Sequence, residues 1–448
     1  MISQLRSYLS GKGLGPTLIK AVTGSAGLRI AGMGFGFLVG VQLARGLGAE
    51  GYGIYGIAMS ILALLTVPTE FGLPMLLTRE VAAAQVKQDW ARMKGILHWS
   101  SRMSFMISII IGAGVIAWLC FSGQGLSTAL GLTLLAGMLM VPVVAQLSLR
   151  SAALRGLQQI VRGQIPVVLM RPMFHSLLLF LTGLWLVPMS PAMAMLLGVG
   201  AAGAALLIAV YMLRRRLPQE SVCAAPVVDA SRWLVDALPM ALTEGMRLLQ
   251  AHLLILLLGV TVLMTEVGIY RVASSLVLLI AMPISLFNIV SMPVIARLHA
   301  AGETRRLKRM LGFVSGGMTA GVIMLSLPFA VAGEDIISLL FGHEYESANS
   351  VLLVLCGGML VNALLGAAAP VLNMTGHQSR VTRASLFALV LMAICAVPLI
   401  HVFGILGAAF SHLVSFALWH LLMWRDCIAR LSYNTSIFAL QRDGGQSA

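Results

Sequence analysis

The sequence predicts an all-α integral membrane protein of about twelve transmembrane helices, and three observations carry that expectation. Hydrophobic residues make up 59% of the 448-residue chain and charged residues only 10%, against about 25% charged in soluble domains. Twelve predominantly apolar runs, each near the ~20 residues that cross a bilayer, are separated by charged or turn-rich breaks. Lysine and arginine fall almost entirely on alternate connections between those runs. A mean hydropathy of +0.94 excludes a soluble enzyme, because so much exposed apolar surface would precipitate the chain.

The runs lie at about 17–44, 52–77, 99–121, 126–149, 163–187, 191–213, 233–260, 267–296, 311–333, 350–372, 384–402 and 405–424. The first is too long for a cleaved signal peptide, is interrupted by Arg29 and lacks a small-residue cleavage site, so it is expected to remain as a helix. With the N-terminus in the cytoplasm, 25 of the 30 Lys and Arg residues fall on cytoplasmic segments, and Arg45 alone falls in an opposite loop. This is the positive-inside pattern; it predicts both termini on the cytoplasmic side and an even number of spans. The net charge of +14 is therefore mainly topological. Nucleic-acid binding would gather the basic residues on one soluble module with aromatics between them, whereas here they are spread over seven short segments. Five cysteines lie far apart without metal-ligand spacing and read as buried or reduced thiols.

The longest cytoplasmic connection predicts a division into an N-lobe at 1–216, a linker at 217–232, a C-lobe at 233–424 and a cytoplasmic tail at 425–448. An internal repeat supports two halves. GIYGIAMSILALLTVP at 53–68 and GIYRVASSLVLLIAMP at 268–283 match at seven of sixteen positions, with an offset of 215 residues. Both copies open even-numbered spans, so they run in the same direction and the halves are parallel repeats. Internal prolines, Pro68, Pro74, Pro166, Pro239, Pro293 and Pro328 among them, predict bent helices around an interior cavity. Gly32, Gly36 and Gly40 form a ridge suited to close helix packing. The stretch Arg79–His98 sets Val81, Val86, Trp90, Met93 and Leu97 among charges, which predicts an interfacial helix on the cytoplasmic leaflet.

Ionisable residues inside spans are costly and mark interior or aqueous paths. Four arginines, Arg29, Arg171, Arg247 and Arg271, and two acids, Glu70 and Glu244, meet that description. Arg29 and Arg247 lie near the midplane; Arg271 stands only about 6 Å inside the outer end of its span and could snorkel outward. Glu244 and Arg247 share a helix face and are expected to pair. Arg29 and Glu244 are separated by the repeat offset, so they could face each other. Glu70, between Pro68 and Pro74, could bind a proton or cation or simply cap a broken helix. Four positive against two negative charges predict a central cationic cavity. Arginine suits phosphate because its planar fork bonds bidentately and stays charged. No Walker loop, HExxH or GxSxG motif accompanies these charges, so no enzyme chemistry, cofactor or metal is expected.

LARGLGAEGYGIYGIAMSI at 43–61, TEFGLPMLLTREVA at 69–82, LFGHEYESANSVLLVL at 340–355 and LNMTGHQSRVTR at 372–383 complete the pattern. In order and spacing they resemble Wzx-type lipid-linked oligosaccharide flippases of the multidrug/oligosaccharidyl-lipid/polysaccharide exporter superfamily. The resemblance covers nearly the whole chain. It implies two six-helix lobes around a central cavity that opens alternately to each side of the bacterial inner membrane. The implied cargo is an undecaprenyl-diphosphate-linked sugar repeat unit, moved to the periplasmic leaflet for cell-surface polysaccharide, such as the O-antigen of lipopolysaccharide. On that reading Arg247 and Arg29 meet the diphosphate or acidic sugars, and Arg171 and Arg271 serve as way stations. Glu70 and Glu244 couple transport to protons or sodium, and polymerase or assembly proteins are the expected partners. Two alternatives remain open: a cation-coupled multidrug antiporter of the same superfamily, which predicts a net acidic cavity, and a non-transporting membrane scaffold for polysaccharide assembly. The peptidoglycan-precursor flippase is also similar but typically carries two more spans.

Overall fold

The structure, a computed structural model, describes residues 14–121, 128–184 and 188–438. Among them all regular structure is helical. The first stretch holds α1 (Leu14–Glu70), α2 (Leu73–Lys87) and α3 (Trp90–Phe121). Next come α4 (Ala129–Met138), α5 (Met140–Gly156), α6 (Ile160–Gln164), a π-helical segment (Ile165–Met170) and α7 (Arg171–Leu184). Then follow α8 (Pro191–Arg214), α9 (Gln219–Cys223), α10 (Ala230–Thr261), α11 (Met264–Ile280), α12 (Met282–Ala300) and α13 (Thr304–Phe341). A 3-10 turn (His343–Tyr345) leads to α14 (Ala348–Leu365), α15 (Ala368–Met374), α16 (Gln378–Phe403) and α17 (Ile405–Leu431).

Among the described residues, eleven helical stretches are long and apolar enough to cross a membrane. The first, Gly24–Lys87, has 64 residues, about 96 Å of helix and much more than one bilayer. It bends at Gly48, whose φ of 68° and ψ of 174° fall where only glycine is free of strain. The bend makes two crossings of one stretch and brings the total to twelve. The protein is a multi-pass membrane protein, and α3 shows why the composition is so apolar. Ser100, Ser104 and Ser108 are buried on one face of this helix, while Phe105, Ile109 and Ile110 are exposed on another. A soluble helix would reverse that arrangement; here the outward face meets lipid.

The chain packs as two units, one of residues 1–47 and 54–252, the other of 48–53 and 253–448. The division falls within α10, whose start is built into the first unit. Trp233 and Ala237 of α10 are fully buried in a cluster with Leu73, Leu76 and Val81 of α2, Met93 and Ile96 of α3, and Leu154 of α5. Trp233 also packs its ring 5.3 Å from that of Trp99. Arg79 pairs with Asp236 of α10 and with Glu80, which Arg92 pairs from α3. The linker is pinned to the same region, with the Val227 N–H donating to the Ala91 carbonyl at 3.1 Å and Lys94 Nζ to the Ala224 carbonyl at 2.9 Å.

Two expectations change here. Residues 79–98 are not one interfacial helix: the chain turns at Gln88, φ 56°, between α2 and α3, and Val81, Met93 and Leu97 lie in the core of the first unit. The apolar spacing read as one face belongs to two helices meeting at a turn. The glycine ridge of α1 is also uneven. Gly32 abuts the Val168 carbonyl of the π-helical segment, whereas Gly36 faces open space.

The second unit is organised around α11 to α17. In it the two copies of the repeat meet through glycine. Gly53 lies against the Met264 carbonyl, and Gly268 lies against the Ala49 carbonyl. Each residue and its counterpart differ by 215 positions, so the contact is reciprocal, as a local two-fold relation requires. After α17, which runs seven residues past the expected span end at 424, the chain folds back. Thr435 Oγ1 donates to the Leu365 carbonyl at 2.6 Å, Ile437 N–H to the Leu364 carbonyl at 3.0 Å, and Trp424 Nε1 to Asn434 Oδ1 at 3.0 Å. In the loop after α13, hydrogen bonds from His343 and Ser338 hold the Glu346 carboxyl below the usual carboxylate range.

Candidate functional site: a charged cluster in the first unit

Glu70 closes α1 two residues after Pro68. Proline cannot donate to the preceding turn, and the helix ends soon after it. Phe71 and Gly72 take left-handed conformations, with φ of 43° and 68°. A side chain at Gly72 would collide with the backbone of α10 at Ala237 and Ala241, so this glycine lets the break in α1 lie directly on α10. The same approach brings Val67 beside Gly245 and aligns the end of α1 with the Glu244 turn.

On α10, Arg247 Nε donates to Glu244 Oε2 at 2.9 Å and Nη2 to Oε1 at 2.5 Å. The pair is bidentate, as the three-residue spacing predicts. It is not sealed in: the side chains stay 63% and 43% exposed. A charged pair on a membrane-crossing helix that keeps open surface is available to a ligand.

The carboxylate of Glu70 accepts a hydrogen bond from Ser148 of α5 and lies within electrostatic range of Glu244, Arg171 and Arg155. Arg247 also feels the Glu70 charge. Arg171, the first residue of α7, follows the π-helical segment, a backbone form that often marks functional sites. Its Nη2 lies 3.6 Å from the Met140 sulfur. Three arginines thus lie within electrostatic range of Glu70, and Glu244 fixes one of them, Arg247. Arginines outnumber carboxylates in the cluster by one.

Four of the six expected residues, Glu70, Glu244, Arg171 and Arg247, come together in this cluster. Arg29 does not join them; it stands exposed on the first arm of α1, while Glu244 takes Arg247 as its partner. Arg271 belongs to the second unit, with its guanidinium 5.0 Å from the centroid of the buried Tyr52 ring. Sequence reasoning missed Arg155 and Ser148. The expected apolar run ends at residue 149, which leaves Arg155 outside it, but α5 continues to Gly156. The small and apolar residues SAAL between Arg150 and Arg155 are the signal for that continuation.

The signature of the family "Polysaccharide biosynthesis protein" matches residues 18–299. The chain belongs to that family. Among curated relatives, a segment of 75 residues is 37% identical to "Stage V sporulation protein B" of Bacillus subtilis and covers 17% of this chain and 14% of that one. A segment of 167 residues is 25% identical to "Probable low-salt glycan biosynthesis flippase Agl15" of Haloferax volcanii, covering 36% and 34%. The matches therefore span about a seventh and a third of these relatives' lengths. Solved structures superpose on the chain at low identity. An inward-facing multidrug resistance MATE family transporter of the MOP superfamily superposes with a TM-score of 0.70 at 12% identity, over 94% of this chain and 100% of that one. Lipid II flippase MurJ, inward closed, superposes at 0.69 and 12% identity, over 96% and 93%. The chain therefore has the fold of these MOP transporters.

Proposed function

We propose that this protein is a flippase that carries an undecaprenyl-diphosphate-linked oligosaccharide repeat unit from the cytoplasmic to the periplasmic leaflet of a bacterial inner membrane. It works by alternating access of two six-helix lobes, 1–216 and 233–424, with both termini cytoplasmic, and it does so without enzymatic chemistry. The observation that carries the reading is the excess of arginine around Glu70 and Glu244. Arg247 and Arg171 receive the diphosphate, joined by Arg155, while Arg29 and Arg271 make further contacts along the path. Glu70 and Glu244 exchange a proton or sodium ion as the anion enters and leaves. Membership of the polysaccharide biosynthesis family supports sugar cargo, and relatives named as a glycan biosynthesis flippase and a lipid II flippase support its lipid-linked form. In vesicles reconstituted with the protein and a fluorescent lipid-linked sugar, Arg247→Ala lowers translocation about 10-fold or more and Arg247→Lys retains part of it. Wild-type rates in both variants would sink the assignment.

The likeness to a multidrug transporter favours one second reading, a cation-coupled drug antiporter. It predicts efflux of cationic dyes that stops on neutralising Glu70. The three arginines of the cluster oppose a cationic cargo electrostatically.

A further inference from the structure

A second group of arginines lies apart from the Glu70 cluster, and among the described residues it forms no ion pair. Arg150 stands in the last two turns of α5. Arg214 closes α8, which packs along α5, and Arg215 and Arg216 follow it. On the charge-derived topology these helix ends lie at the cytoplasmic headgroups. Arg150 is held in place by neutral groups alone. Its Nη2 donates to Ser101 Oγ at 2.9 Å and to Gln146 Oε1 at 3.2 Å. Ser101 Oγ donates to the same Gln146 oxygen at 2.7 Å, and Gln146 Nε2 donates to the Ser101 carbonyl at 2.9 Å. This bracket uses one of the three guanidinium nitrogens. Arg214 stands within electrostatic range of Arg150, and the Arg215 guanidinium lies over the Tyr211 ring at 4.5 Å.

Other arginines on the same side have carboxylate partners: Arg79 with Asp236, Arg92 with Glu80 and Arg306 with Glu303. Among the described residues neither Arg150 nor Arg214 forms an ion pair. Two like charges, one half-buried at Arg150 and one exposed at Arg214, repel unless an anion lies between them. A phosphate ester answers that repulsion and matches the forked donors of arginine. Basic pockets between transmembrane helices at this depth hold anionic headgroups.

We propose that Arg150 and Arg214, with Ser101 and Gln146 as their bracket, form a phosphate-binding site at the cytoplasmic headgroup level of the first unit. Two carriers present that phosphate at this depth, an anionic phospholipid and, resting on the proposed function, the diphosphate head of the cargo. The test uses the full chain in neutral detergent and follows thermal unfolding as lipid is added. Phosphatidylglycerol, phosphatidylcholine and a short-chain polyprenyl diphosphate are the three probes. Wild type gains heat stability with phosphatidylglycerol and not with phosphatidylcholine. Arg150→Gln and Arg214→Gln each weaken that response about 10-fold, the loss of a charge-assisted bond, and Arg306→Gln leaves it unchanged. Arg214 lies exposed at a helix end, so its variant reports on binding even where Arg150→Gln fails to fold. Stabilisation by the diphosphate alone, lost in both variants, assigns the same phosphate site to the cargo. Undiminished response in Arg214→Gln, or an equal loss in Arg306→Gln, overturns the site. A translocation defect in Arg247→Ala with intact lipid response keeps this inference separate from the transport reading.

Discussion

The two copies of the repeat, 53–68 and 268–283, share a backbone plan and differ in charge. Each begins Gly-Ile-Tyr, and the matched serines serve the same end: Ser60 donates to the Gly56 carbonyl at 2.9 Å and Ser275 to the Val272 carbonyl at 2.8 Å. Their prolines act on opposite sides of a break. Pro68 precedes the left-handed turn that ends α1, whereas Pro283 sits in the first turn of α12, after the cap at Ala281. The charges are divided between the copies. Where the first has Gly56 the second has Arg271, and where Glu70 follows the first, Ser285 follows the second. Positions that set helix approach are alike in the two copies, while the charged positions differ. A symmetric scaffold with asymmetric charges is suited to holding one unsymmetrical cargo.

The largest test of that comparison is steric. Gly53→Leu and Gly268→Leu each drive a side chain into an opposing carbonyl, so each should destabilise by about 1–3 kcal/mol. The two should lower the unfolding temperature by similar amounts, and a silent partner would break the reciprocity. The charge division is tested next. Glu70→Gln should cut vesicle translocation by about 10–100-fold, the worth of a hydrogen-bonded charge, whereas Ser285→Ala should stay within about 2-fold. Comparable losses at both would remove the distinction between the copies. The smallest effect is expected at Arg271. Its contact with Tyr52 is a cation–π interaction of about 0.5–1 kcal/mol where exposed, so Arg271→Gln should lower transport only about 2–5-fold. A loss as large as that of Arg247→Ala would make Arg271 a principal ligand contact.

Much of the fold was legible because the bilayer imposes simple rules. Helix length follows from bilayer thickness. The Glu244–Arg247 pair was legible for the same kind of reason, since three-residue spacing on one helix fixes proximity without any tertiary knowledge. Arg155 was not. A charge near the end of an apolar run looks the same whether the helix stops before it or carries it toward Glu70. The stretch 79–98 misled because turn geometry at Gln88 leaves little trace in apolar spacing.

Composition and spacing alone set the class of molecule, the approximate number of its spans and the repeat. These depend on composition and on neighbours within a helix turn or two. Which charges share a neighbourhood depends on tertiary packing. It drew Arg155 and Ser148 into the Glu70 cluster, left Arg29 on an exposed face, and set Arg150 near Arg214 without an acid. Such choices depend on how helices far apart in sequence pack, and packing follows small-residue contacts such as Gly72 on α10 and Gly32 on Val168. No periodicity within a single helix records them.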